Sequence, residues 1–304
     1  MELQLKHWRG KGLKRRLPGV ALAVALLCGG GQPAMGQSSG PTAEDLVAQG
    51  LQLVVRGKLA EATEAFRQAA GLDPGLAPAH YNLGLALRQQ GQLQAAADAF
   101  YRATQADPRF ALAYANLGAA LLEGNNLAQA ADYLQRATEL DPQMGLAHYN
   151  LGLVLALRGS LEEAIASYKR AMEYSPKAPE PAYHLGLAYL QLGKLDRAKD
   201  AFRKAIQITP NYPEAHYNLG SILLTEGKLE DALKSFRRAS EANPNYANAY
   251  YGAGIVFLRQ GRFSEAQQVL KYAKDLYTAQ GNSQWAASAD RLLQGAANPS
   301  APPE

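Results

Sequence analysis

Sulfur chemistry is almost missing from this chain of 304 residues. Its one cysteine, Cys28, sits in an apolar run near the N-terminus. The rest of the chain forms no disulfide and offers no cysteine ligand to a metal. A basic surplus is missing as well. The formal charge is +4, but residues 1–36 hold six Lys/Arg and one acid, which leaves a net −1 on residues 37–304. A body without spare cations is not built to neutralise a phosphate backbone, so no nucleic-acid partner is expected. There is no Gly-rich phosphate loop, no Gly-x-Ser-x-Gly elbow and no zinc-ligand spacing. Outside its leader and its repeated portion the chain keeps about 30 residues, too few for a catalytic domain. The expectation is a protein that is not an enzyme, with no catalytic residues, no metal site and no cofactor.

The N-terminus has its own pattern. Bases at Lys6, Arg9, Lys11, Lys14, Arg15 and Arg16 precede the apolar run Leu17–Cys28, and small residues follow to Ala34-Met35-Gly36. This order is that of a secretory signal, and the run is too short for the roughly 20 residues that span a bilayer as a helix. Residues 1–36 are therefore read as a signal peptide, with retention as an uncleaved membrane anchor as the alternative. Cys28 is one apolar residue of that run. The expected location is periplasmic or another extracytoplasmic compartment. Membrane association is expected only through the leader.

From residue 43 the chain repeats itself. Gly50, Gly84, Gly118, Gly152, Gly186, Gly220 and Gly254 are spaced by 34 residues. Seven residues after each stand Gly57, Gly91, Asn125, Gly159, Gly193, Gly227 and Gly261, and twelve after each stands an alanine, Ala62 through Ala266. Seven units follow without a gap, 43–76, 77–110, 111–144, 145–178, 179–212, 213–246 and 247–280. Within 77–110, His80, Leu83, Gly84 and Leu87 share one helix face, and Leu93, Ala96, Phe100 and Ala103 share another. Gly91 suits the left-handed end of the first helix, and Asn125 is the substitute that best tolerates it. Asp107-Pro108 ends the second helix. Each unit is thus a helical hairpin whose outer apolar face needs a neighbour, so the copies stack.

These residues resemble the tetratricopeptide repeat (TPR) family. Its pattern reads here as His80, Leu83-Gly84, Leu87, Ala96, Phe100, Ala103 and Pro108, and again as His216, Leu219-Gly220, Leu223, Ala232, Phe236, Ala239 and Pro244. The resemblance covers about 78% of the chain. It implies an all-α fold, a right-handed α-solenoid of antiparallel helix pairs forming a TPR superhelix. The ends depart from the pattern. The first unit has Leu46 and Gln49 where the family has an aromatic and Leu, and the seventh has Thr278 in place of Pro, so its second helix is expected to run on. A linker at 37–42, a C-terminal capping helix at 281–294 with Trp285, Ala289 and Leu292 on one face, and a disordered Pro/Ala-rich tail at 295–304 complete the organisation.

The resemblance also implies where a partner binds. In this family the concave groove is lined by unit positions 2, 5, 6, 9, 12 and 13 of the first helix. The candidate residues are Tyr81, Asn82, Asn116, Leu146, Tyr149, Asn150, Leu153, Tyr183, Leu187, Tyr217, Asn218 and Tyr251. Tyrosines provide rigid contact area, and asparagine amides can pair with a peptide backbone whatever its sequence. The same residues also admit a second reading, as packing and backbone-satisfying positions. The fourth unit presents Leu146, Tyr149, Leu153 and Leu157 without charge, which places an apolar anchor near Tyr149, Leu153 and Tyr183. The family's clamp for a C-terminal carboxylate needs Lys at position 5, where this chain has Tyr or an aliphatic, so that clamp is absent. His80, His148, His184 and His216 are read as packed or hydrogen-bonded, not as ligands. The expected function is that of a non-catalytic scaffold or adaptor holding a peptide or protein segment. The alternatives are an assembly factor docking on a membrane protein complex, or a non-catalytic subunit of a glycosyltransferase or secretion machine.

Overall fold

The computed structural model describes residues 40–297. The leader at 1–36 and most of the expected tail lie outside the described residues. Fifteen α-helices and no strands make up the described chain. They form two compact units that divide between Tyr174 and Ser175.

The first unit holds four hairpins: α1 (Ala43–Val55) with α2 (Leu59–Leu72), α3 (Ala77–Gln89) with α4 (Leu93–Ala106), α5 (Ala111–Glu123) with α6 (Leu127–Leu140), and α7 (Gly145–Leu157) with α8 (Leu161–Tyr174). The second holds α9 (Pro179–Gln191) with α10 (Leu195–Ile208), α11 (Pro213–Thr225) with α12 (Leu229–Ala242), α13 (Ala247–Arg259) with α14 (Phe263–Ala279), and a last helix, α15 (Ser283–Ala297). Within each unit every helix packs on its neighbours in sequence, so each is an all-α stack of hairpins.

Two local devices make each hairpin. The turn after α3 is a Schellman closure: Gln92 N–H donates to Leu87 O at 3.0 Å and Gly91 N–H to Arg88 O at 3.0 Å. It requires a left-handed residue, and Gly91 has φ +78° while Asn125 occupies the same place with φ 61°. The second device is close approach. A Cβ on Gly84 would lie 2.6 Å from the Phe100 ring, and Gly186 stands equally close to Phe202. The aromatic of the second helix thus fills the space that the glycine of the first leaves open.

Between repeats, the residue before the proline caps the turn with its own side chain. Asp73 accepts from Gly75 N–H at 2.8 Å, and Asp107 from Arg109 N–H at 2.9 Å. Histidine then ties the turn to the next helix. His80 Nε2 lies 3.0 Å from Pro74 O, His148 Nε2 2.9 Å from Pro142 O, and His216 Nε2 2.8 Å from Pro210 O.

The first helix carries polar residues on its outer face. On α1, Asp45, Gln49 and Gln52 stand exposed where α3 has Ala79, Leu83 and Ala86 turned inward. Asp45 also closes a capping box with Thr42. At the other end α14 has 17 residues, three more than the other second helices, and a left-handed glycine, Gly281 at φ +69°, turns the chain into α15. Trp285 there packs against Tyr251 and Tyr277 at 5.5 and 6.0 Å. The helix continues three residues past the expected 294, into the stretch expected as tail. Ala296 is buried against the core around Leu270, and its carbonyl accepts from Gln267 Nε2 at 2.9 Å. Those contacts hold the last turn in place.

Candidate functional site

The groove positions of the first unit lie on α3, α5 and α7. Tyr81 is buried, with its ring 5.8 Å from Phe100 and 4.8 Å from Phe110. Burial raises its phenol pKa above the ordinary value, against the opposing pull of Arg88 and Asn116. Tyr149 is 8% exposed and packs on Tyr168 at 6.2 Å. Asn82, Asn116 and Asn150 are buried too. Their amides are largely engaged within the chain. Asn82 Nδ2 donates to Pro78 O at 2.8 Å. Asn116 Nδ2 donates to Leu112 O at 2.9 Å and to the Tyr81 hydroxyl at 3.3 Å, and its Oδ1 accepts from Arg88 at 3.3 Å. Arg88 is at the same time paired with Glu123. The Oδ1 of Asn150 is buried without a hydrogen-bond partner: the preceding unit has Ala115 and Leu122 where a tyrosine and an arginine serve Asn116.

What the first unit does present is aliphatic. Leu146 is 49% exposed and Leu112, at the same place on the preceding first helix, is 39% exposed. Leu153 and Leu157 are half-buried, packed against the core around Leu122 and Val154. No charged residue stands at groove positions 2, 5, 6, 9 or 12 of α5 or α7, and Glu123 is tied to Arg88.

In the second unit the candidates lie on α9, α11 and α13. Tyr183, Leu187, Tyr217, Asn218 and Tyr251 are all half-buried. Tyr183 packs on Phe202 and Tyr212 at 5.8 and 5.1 Å, and Tyr217 on Phe236 and Tyr246 at 5.8 and 5.7 Å. Asn218 Nδ2 donates to Glu214 O at 2.8 Å and to the Tyr183 hydroxyl at 3.3 Å. The pairs Tyr81–Asn116 and Tyr183–Asn218 therefore link successive first helices to each other.

Two polar links carry no signature in the sequence motifs. Gln90 Nε2 donates to Thr63 Oγ1 at 2.7 Å, joining α2 to the end of α3. At the same repeat positions Lys199 pairs with Glu226, joining α10 to the end of α11, with Asp196 and Lys228 completing the cluster. These hydrogen bonds raise the Lys199 pKa and lower that of Glu226. The signal that could have found them is the register, since both pairs are 27 residues apart.

Comparison with known proteins agrees with this geometry. Tetratricopeptide repeat models match residues 47–111 and 87–151. The chain is a tetratricopeptide repeat protein. A further model, described as the C-terminal domain of cilia and flagella-associated protein 70, matches residues 146–282 of this TPR protein. Among solved structures, MamA is 27% identical with a TM-score of 0.51, over 54% of this chain and 96% of that one. YrrB, described as a TPR protein with an unusual peptide-binding site, is 26% identical with a TM-score of 0.52, over 63% of this chain and 99% of that one. A tetratricopeptide repeat protein from Parabacteroides merdae is 20% identical with a TM-score of 0.58, over 84% of this chain and 99% of that one, a likeness of fold. No curated protein matches the chain.

Proposed function

We propose that this TPR protein is a non-catalytic adaptor, exported by its leader, that holds an apolar-anchored peptide or protein segment against the first helices of repeats three and four. The observation that carries this reading is the pair Leu112 and Leu146, which stand exposed on adjacent first helices at the same repeat position, among positions 2, 5, 6, 9 and 12 that carry no charged residue in either helix. An uncharged, apolar centre is what an interface core requires. The peptide-binding site in the description of YrrB supports a segment as the occupant. The buried tyrosines of this region act as the wall, and the exposed leucines as the contact. The order of bases, apolar run and small residues in 1–36 supports export.

Affinity capture from the native source with residues 37–304 as bait tests the binding reading. Leu112→Asp and Leu146→Asp together should release the captured partner while the helical circular dichroism stays unchanged. A partner retained at wild-type level by the folded double variant overturns it. Mass spectrometry of the native protein tests export: a chain starting near Gln37 is expected, and one starting at Met1 in the cytoplasm refutes it.

A further inference from the structure

The second unit presents a different chemistry at the repeat positions that make the first unit apolar. Position 2 of the first helix, exposed Leu112 and Leu146 in repeats three and four, is Glu180 in repeat five and Glu214 in repeat six, both half-buried. The position-5 rings open as well: Tyr81 and Tyr149 are buried, whereas Tyr183 and Tyr217 are half-buried. Each of these two has a second half-buried ring beside it. Tyr212, the residue before α11, lies 5.1 Å from Tyr183, and Tyr246, the residue before α13, lies 5.7 Å from Tyr217. Hydrogen bonds fix where Glu214 stands among them. It follows Tyr212 by two residues, and Asn218, one turn further along α11, donates both to the Glu214 carbonyl at 2.8 Å and to the Tyr183 hydroxyl at 3.3 Å. Residues four apart share a helix face, so the Glu214 side chain stands on the face of α11 that meets Tyr183.

We propose that Tyr183, Tyr212 and Glu214 form a second docking site, for an arginine side chain of a partner protein. A guanidinium stacks flat on a tyrosine face, and a carboxylate beside the ring takes it through paired hydrogen bonds. The chain's own cations leave this place to the partner. Positions 2, 5, 6, 9, 12 and 13 of α9 and α11 carry no Lys or Arg. Arg197 lies over the Tyr189 ring at 5.8 Å, Lys199 and Lys228 pair with Glu226, and Arg259 donates to Leu224 O near the far end of α11. Lys204 and Arg238 are held along their own helices by Gln207 and Glu241. Lys177 is exposed in the turn before α9, beside Glu180, but its place before α11 is held by Asn211, which keeps Glu214 as the uncompensated charge of the pair of positions. The site belongs to the second unit and the leucine surface to the first, so failure of one reading leaves the other standing.

The probe is a fluorescein-labelled hexa-arginine peptide, followed by polarisation against residues 37–304 at low salt, with circular dichroism as the check that each variant is folded. Wild type should bind, and Glu214→Gln should weaken binding by about tenfold. Two substitutions separate the ring from its bulk. Tyr212→Phe keeps the face and should bind as wild type, whereas Tyr212→Leu, which installs the residue that repeat one has there as Leu76, should lose about tenfold. Asp231→Asn removes an exposed carboxylate from α12 in the same unit and should leave binding unchanged. Absence of binding by wild type, or equal losses from Asp231→Asn and Glu214→Gln, overturns the site in favour of diffuse electrostatics. Wild-type binding by Tyr212→Leu, or a loss in Tyr212→Phe as large as in Tyr212→Leu, overturns it too, since neither is compatible with a cation seated on the ring face.

Discussion

Asn218 donates its side-chain amide to the hydroxyl of Tyr183 across 3.3 Å, and Asn116 does the same to Tyr81 at 3.3 Å in the other unit. Groove residues that look like ligand contacts are thereby also ties between consecutive repeats. Replacing Tyr183 with Phe removes the acceptor and keeps the ring, and should lower stability by about 1 kcal/mol in urea unfolding. In a double-mutant cycle with Asn218→Ala the two losses should couple, and strict additivity would show that the bond contributes nothing.

Tyr149 extends the argument to the ring itself. Its side chain is 8% exposed and lies against Tyr168. Truncation to Ala leaves a cavity inside repeat four and should cost about 3 kcal/mol of stability. The helical pattern alone places a partner's anchor on this residue; in the function proposed above that contact falls to the exposed Leu146, three positions before it. A Tyr149→Ala variant with wild-type melting and reduced affinity would return the anchor to Tyr149.

Two glycines in helices should respond in opposite directions. A Cβ on Gly84 meets the Phe100 ring at 2.6 Å, a ring that is itself fully buried and cannot retreat. Gly84→Ala should destabilise by about 1–3 kcal/mol. Gly71, in α2, has nothing within 4 Å of the point where a Cβ would stand, so Gly71→Ala should stabilise by about 0.5–1 kcal/mol. Thermal melts of the two variants side by side decide the matter.

The end of the array is a third place to test. Helix α15 covers Tyr277 with Trp285 and places Leu292 and Leu293 on the core around Leu270. Deleting residues 282–304 uncovers that surface, and aggregation or a lower melting temperature should follow. Unchanged solubility would mean that α14 closes the stack by itself.

Much of this is legible in the sequence, because the determinants are local and repeat. The hairpin turns need one left-handed residue each, and the Gly57-to-Gly261 column with Asn125 as its exception announces them. The close-packed glycines announce themselves through the alanine and aromatic columns that face them. What stays hidden depends on which residues meet across repeats. Tyr81 with Asn116, Thr63 with Gln90 and Lys199 with Glu226 are 35, 27 and 27 residues apart, and a single sequence names the periodicity without naming the partners. The exposure of Leu146 and the burial of Tyr149 follow from how far each first helix turns against its neighbours, which the helical period alone leaves undetermined. The repeat-three residues Tyr114 and Tyr133 are visible as departures from their columns, but only the 6.2 Å between their rings makes them a pair.

His184 gives the array a defined response to acid. It occupies the place that Asn82, Asn116, Asn150 and Asn218 hold in other repeats, with its ring edge-on to Tyr183 at 5.3 Å. Burial disfavours its charged form and pulls its pKa from 6.5 down to about 4. In the unfolded chain the same imidazole takes its proton at the higher value, so between those two pH values the unfolded state binds more protons than the folded one. Stability from this group is complete above pH 6.5, falls as the pH drops through that window, and levels off below about 4. Melting temperatures measured from neutral pH down to about 4.5 should decline, and His184→Asn should flatten the decline by removing the only titrating group of that window at this position. An equally steep decline in His184→Asn would show that His184 is not its source.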